Sequence, residues 1–459
     1  MMRTSRFGSE VKLLHPPSPD ISHICYNTLT GRVLGATEDV AEIMRRGHHE
    51  VIQPEDLAKL GEETLNYLVQ QSWLRVDDEA ALIDTVSSDI RHALGCLGQY
   101  AVVPWPEQDA PFGPEHAMDV ISALVEADER THRHYHFYAL NQNQQAALER
   151  AAETIRGHWH TPTMRNASER LLVLTLNPLL SVDWDAWSFL EAGEGRLRLP
   201  IHPGLIDEDG GLSWIDSITT IASEAAQVGF STWIIIFVTP DDPPEWLDTA
   251  LASLSRTGIL YTCAFPFCFV AKRSVPDWRE YLCELDNIDF ALLEDILHQT
   301  PGSHRRSLAF PHGGGIVQKA SALVARRAAL TPELFYCRAI PTGYYVNFNG
   351  EIWPCPKMAA GLGDEAGLRP LATYDTKGIY PIAEMLHKWR HRAVTKIEPC
   401  QGCVGMFNCA GGCALEAAIE HDGDPFYPAC QPVERFMRSL IETHERHLTK
   451  RFGPEGGIQ

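Results

Sequence analysis

The chain has 459 residues and is 44% hydrophobic and 22% charged, with a formal net charge of −21. That length carries several domains with a substantial core. The acidic balance argues against nucleic acid or an anionic membrane surface as partner, because both reward Lys and Arg. The opening residues, MMRTSRFGSEVKLLHPP, hold no apolar stretch of signal-peptide length. The longest apolar run, WIIIFV, falls far short of the roughly 20 residues of a membrane helix. A cytoplasmic protein with reduced thiols is therefore expected, and its 12 cysteines need an explanation other than disulfides.

In chain order, residues 23–47 read as a hairpin followed by a helix. The turn falls at 29–32, and Thr37 is the N-cap of a helix whose apolar stripe is Val40, Ile43 and Met44. Pro54, Glu55 and Asp56 open a second helix, and residues 65–80 give a third that ends in a strand. The segment 84–166 has no assignable role. It contains THRHYHF and GHWH; on a strand His132, His134 and His136 share one face, as do His158 and His160. Neutral imidazoles so arrayed suit zinc or another divalent ion, and equally a solvated or aromatic-packed surface.

From Arg170 to about Gln318 strands and helices alternate. Residues 171–176, 197–201, 233–238 and 259–265 read as buried strands, and 212–229 and 243–258 as helices. Repeated strand–helix units imply a parallel sheet. The stretch FPHGGGI (310–316) could cradle a phosphate on its backbone amides, but it lacks the Lys-Ser/Thr of a P-loop, so a structural turn is the expectation.

Seven of the 12 cysteines fall after Phe335: Cys337, Cys355, Cys400, Cys403, Cys409, Cys413 and Cys430. Between the first two, residues Tyr345 and 348–352 alternate around Asn349-Gly350, a strong hairpin signal that returns Cys355 towards Cys337. Gly405, Gly411 and Gly412 permit the tight turns that wrapping a metal centre requires. Zinc and iron–sulfur centres both take four thiolates. Seven cysteines sit awkwardly with one zinc and fit two clusters with one ligand missing.

The order C-x12-G-x4-C, C-x2-C-x5-C-x3-C, C, running from Cys337 to Cys430, resembles the SPASM domain over roughly 335–447. That domain follows the radical SAM domain in enzymes that modify ribosomally made peptides and in sulfatase-maturing enzymes. The resemblance implies two auxiliary [4Fe–4S] clusters, one on Cys400, Cys403, Cys409 and Cys430, the other on Cys337, Cys355 and Cys413. For the second, the resemblance leaves the fourth ligand open: Cys268, Cys283, a non-cysteine ligand or an open iron. The middle third resembles the radical SAM partial barrel, with LTLNP as its first strand. Catalysis in that family needs a CxxxCxxC loop there, and this chain has Ser181, Asp185 and Ser188 at that spacing. No CxxxCxxC occurs anywhere, and the GGEP turn that holds S-adenosylmethionine appears only as IHPGL. The first third resembles the winged-helix domain that recognises precursor-peptide leaders in such enzymes, by strand addition to a hairpin edge; a packing or dimerisation module is the alternative.

The expected fold class is α/β. It comprises an N-terminal winged-helix, peptide-recognition-like domain (1–83), a linker or helical segment (84–166), a degenerate radical-SAM-like partial (β/α) barrel (167–330) and a cysteine-rich SPASM domain (331–450). The resemblance implies two auxiliary [4Fe–4S] clusters and no S-adenosylmethionine cluster. It implies a role in ribosomal peptide modification as a precursor-binding or electron-relay protein that generates no adenosyl radical, with a leader peptide and a catalytic protein as partners. One alternative is an active enzyme using an open auxiliary iron or a barrel pocket with Asp183, Asp185 and His202. A zinc-stapled scaffold is another.

Overall fold

The computed structural model describes residues 3–13, 16, 21–47, 51–75, 79–103, 109–139, 142–159, 169–176, 180–192, 194–201, 213–237, 260–264 and 332–430. The expected helix at 243–258, the FPHGGGI turn, His160, His202, Cys268 and Cys283 lie outside them.

The N-terminal unit is a three-stranded antiparallel sheet, β2 (Gly8–Lys12), β3 (His23–Asn27) and β4 (Val33–Ala36), with β3 central. Helix α1 (Glu38–Gly47) starts as expected, its Val40 amide donating to Thr37 Oγ1 at 3.3 Å. Acidic residues in its first turn and Arg45 and Arg46 in its last complement the helix dipole. Its Val40, Ile43 and Met44 stripe packs with Cys25, Leu68 and Trp73. Short helix α2 (Pro54–Leu57), α3 (Glu62–Gln70) and strand β5 (Leu74–Arg75) follow, and β5 pairs with β1 (Arg3–Thr4).

Beyond α4 (Ala80–Gly95) lies a ten-stranded sheet. Its parallel part is β6 (Leu97–Val103), β7 (His132–Ala139), β8 (Glu169–Leu176), β9 (Gly195–Ile201), β10 (Phe230–Phe237) and β11 (Leu260–Ala264), lying side by side in chain order. Helices α5 (Pro114–Glu126), α6 (Gln142–Trp159) and α7 (Ser213–Gln227) connect strands. One sheet face buries Tyr100, Tyr135, Phe137, Leu172, Leu174, Leu197 and Leu199 against apolar residues of these helices, such as Met118, Ile155 and Ile218. The alternation that hides one set of side chains presents the other set on the opposite face.

Two expectations are corrected here. Residues 84–166 supply most of α4 and the first two strands of the parallel sheet with their helices, so Leu174, Thr175 and Leu176 of LTLNP lie in the third parallel strand rather than the first. Among its described residues, the turn from β8 to β9 carries a short 3-10 helix, Trp184–Trp187, capped by Asp183. Ser181, Asp185 and Ser188 are exposed on this turn, and Ser188 Oγ donates to the Asp185 carbonyl at 2.8 Å. They therefore do not follow the sheet's first strand. The second correction concerns GHWH: His158 and Trp159 close helix α6, because Trp159 packs its ring into the core against Tyr135 at 5.9 Å.

The cysteine-rich region continues the same sheet. Strand β12 (Gly343–Asn347) pairs in parallel with β6, and β13 (Glu351–Trp353), β14 (Ala372–Asp375) and β15 (Gly378–Pro381) extend it antiparallel. The hairpin expected around Asn349-Gly350 is present, with Val346 opposite Ile352 and Gly350 at φ +86°. Helices α8 (Ala383–Arg390) and α9 (Ala414–Glu420) complete this region.

The N-terminal unit is anchored on the cysteine loop. Phe7 and Phe407, both fully buried, meet edge-on at 5.1 Å, and Thr28 Oγ1 donates to the Val404 carbonyl at 2.6 Å. A shared apolar cluster adds Leu29, Val394, Ile397 and Cys400. Phe7→Ala removes this plug and should cost about 3–5 kcal/mol in urea unfolding. Val69→Ala, at an exposed site, should cost under about 0.5 kcal/mol.

Candidate metal centre

The loop 400–413 has little regular structure, and its turns are set by backbone bonds. Cys403 N donates to the Cys400 carbonyl at 3.0 Å, Cys409 N to Gly405 at 2.9 Å and Gly412 N to Cys409 at 3.0 Å. Ala410, Gly411 and Gly412 then adopt successive left-handed conformations, at φ +49°, +78° and +70°. A Cβ at Gly412 would lie 1.9 Å from the Ala429 carbonyl oxygen, so the close approach of the segment ahead of Cys430 demands glycine there.

Nine cysteines among the described residues are free thiols. Their mutual fields sort the seven late ones into two groups. Burial, then the neighbouring Cys409, Cys403 and Cys430, push the Cys400 thiol up to about 12. Burial, then Cys337 and Cys413, likewise push Cys355 up to about 12. Cys413 is raised to about 11 by burial and then by Glu416, while Lys357 and the amides of Glu416 and Leu415 favour its thiolate. Cys403 and Cys430 are exposed, whereas Cys355, Cys400 and Cys409 are buried.

Side chains that the sequence did not single out link the groups. Buried Arg392 donates from Nη1 to the Gly412 carbonyl at 3.2 Å and from Nη2 to Gly411 and Tyr427 at 3.1 Å each, with Nε on Pro425. Tyr336 feels Cys413, Cys409 and Cys337 together, and burial raises its pKa. Arg390 Nη1 donates to Ile340 at 2.7 Å and Nη2 to Gly343 at 2.6 Å, tying α8 to the chain after Cys337. Arginines in "WRHRAVTK" carry no sequence signal for such roles; only the folded backbone converges on them.

An iron–sulfur centre needs deprotonated thiolates in groups, shielded from water and supplied with hydrogen-bond donors. The donor chemistry suits such a centre: Cys400 lies in the field of Cys409, Cys403 and Cys430, and Cys355 in that of Cys337 and Cys413. Asn408, beside Cys409, is 1% exposed and neither end of its amide has a hydrogen-bond partner within the protein. Such an orphan is costly unless something accepts from it. Among the described residues, no three His, Cys, Asp or Glu side chains converge as the shell of a single metal ion.

Next to the three-cysteine group lies the second face of the parallel sheet. The registers align His134 with Gln99, His136 with Ala101 and Val173, and Arg198 with Thr175. His132, His134 and His136 do share one face, as expected. Burial, then the positive fields of Arg198, His134 and Arg196, drive the His136 pKa well down. Tyr345 donates to Gln99 Oε1 at 3.0 Å; burial, Tyr138, Cys337 and Cys355 drive its pKa well up. The face is thus polar and cationic, and Tyr345 joins it to the thiols.

No family model and no curated protein matches the chain. Crystal structures of Streptococcus suis SuiB align with 94% of it: SuiB alone (12% identity, 100% of that chain, TM-score 0.44), bound to the precursor peptide SuiA (12%, 99%, 0.46) and bound to S-adenosylmethionine (13%, 100%, 0.43). At these identities and scores no residue role is carried over.

Gly412→Ala should unfold the loop or empty it of metal, whereas Gly402→Ala, whose Cβ meets nothing within 4 Å, should be silent; thermal melts and metal content compare them. His136 carries a folded pKa below its unfolded value near 6.5, so it stays neutral as the unfolded chain gains a proton. Stability should therefore fall as pH drops below about 6.5. His136→Gln should flatten that slope in urea melts taken across the same range.

Proposed function

We propose that the chain is an iron–sulfur protein of ribosomal peptide modification, binding a precursor or relaying electrons without generating an adenosyl radical. The observation that supports this reading is that Cys409, Cys403 and Cys430 lie close enough to raise the Cys400 thiol, and Cys337 and Cys413 close enough to raise Cys355. Cys400, Cys403, Cys409 and Cys430 hold one [4Fe–4S] cluster; Cys337, Cys355 and Cys413 hold the other. Bound clusters supply one-electron transfer. The chain's own contribution is to bury Cys355, Cys400 and Cys409, to admit solvent at Cys337, Cys403 and Cys430, and to seat the N-terminal unit on the loop through Phe7 and Thr28.

The pseudo-radical-SAM part of the reading rests on sequence and topology together. The loop after the first parallel strand, 104–113, reads PWPEQDAPFG and has no cysteine. Thiolates are what a low-potential cluster requires, and oxygen ligands are poor substitutes. The N-terminal strands and helices suit a winged-helix, leader-recognition role, in which an extended peptide adds to β2 or β4, the edges of its three-stranded sheet. The peptide and a catalytic protein are the partners of this reading.

A second reading, an active enzyme, is favoured by the polar sheet face. His134, His136, Arg198 and Tyr345 lie beside the three-cysteine group, where an open iron could act as Lewis acid on a bound substrate.

Iron, sulfide and zinc analysis after anaerobic purification tests the proposal. About eight irons per chain, four per cluster, is the expected result. About twelve would indicate a third cluster and shift the reading to a radical enzyme, and zinc with almost no iron would leave a structural staple. Reduced protein given S-adenosylmethionine should release no 5′-deoxyadenosine.

A further inference from the structure

Arg392 is 2% exposed, the most deeply buried Arg, Lys, Asp or Glu among the described residues. Its donors reach two separate stretches of chain. Gly411 and Gly412 lie between Cys409 and Cys413, and Pro425 and Tyr427 precede Cys430. One planar fork therefore spaces backbone that carries ligands of both thiol groups. All four acceptors are uncharged carbonyls, so no hydrogen-bonded anion compensates the guanidinium. Burial lowers its pKa to about 10, and the groups that oppose this are Cys413, Cys400, Cys409 and then Glu416. A buried cation with neutral partners is costly unless negative charge is brought near it. Thiolate-bound clusters on both sides bring that charge.

We propose that Arg392 is a positioning residue shared by the two centres, holding the 409–413 and 425–430 segments in register and supplying the positive charge that makes both centres easier to reduce. This rests on the iron–sulfur reading above. Reduction adds one electron from an external donor, and one negative charge, to a centre; no bond breaks and no proton need move. A fixed cation beside the centre stabilises the reduced form over the oxidised one.

The test compares full-length wild type with Arg392→Gln, which removes the charge, and Arg392→Lys, which keeps it and loses the fork. Iron and sulfide content is measured first. Each protein is then titrated anaerobically with dithionite while EPR follows the reduced clusters. In Arg392→Gln the retained clusters should become at least tenfold harder to reduce, a shift of about 59 mV to lower potential for one electron. In Arg392→Lys the shift should stay within threefold. Unchanged potentials in Arg392→Gln at full iron, or equal shifts in both variants, would overturn the proposal. If Arg392→Gln does not fold, Arg392→Lys decides: iron retained with potentials within threefold supports it, and a tenfold shift overturns it. Wild type lacking iron overturns the iron–sulfur reading and this one together, whereas iron-loaded wild type with indifferent variants overturns this one alone.

Discussion

The cysteine-rich third depends on one buried cation meeting one left-handed turn. Ala410, Gly411 and Gly412 turn the chain so that the Gly411 and Gly412 carbonyls face inward, and the Arg392 fork takes both. The same fork takes Pro425 and Tyr427, which brings Cys430 back towards Cys400. No apolar packing could fix these segments as tightly, because they contain few large side chains. Directional hydrogen bonds do it instead, at the expense of burying a charge.

The rest of the molecule is organised around this region through continuous sheet. Strand β12 leaves the neighbourhood of Cys337 and enters the large sheet beside β6. Trp353, fully buried, leads β13 to Cys355 against Met358, Met385 and Trp389. The thiols thus sit in turns between regular elements, with strands and buried helices on one side and the N-terminal unit, through Phe7 and Phe407, on the other. The turn after β3 meets the cysteine loop directly, since Thr28 bonds to the Val404 carbonyl.

The opposite sheet face gives the molecule a second chemical character. A chain with net charge −21 gathers Arg196, Arg198, His134 and His136 on one surface, and Tyr345 carries it to the three-cysteine group.

Much of this was legible in the sequence. Short apolar runs marked β8, β9, β10 and β11, Asn349-Gly350 marked the hairpin, and Thr37 marked the start of α1, because each is a local preference read over a few residues. Cysteine spacing marked the region as thiol-rich, while the division into two groups came only from the resemblance to the SPASM pattern. Strand order was not local. Leu97–Val103 and His132–Ala139 are the first two strands of the parallel sheet, yet polar residues on one face of each obscured them until their partners were known. Nor could sequence reveal Arg392, Tyr336 or the Arg198–Tyr345 link, because their roles come from which distant backbone or side chains fold around them. The sequence by itself determined the donor chemistry and the local turns; only the tertiary structure decided what surrounds the donors, because charge compensation and burial are properties of neighbours far apart in the chain.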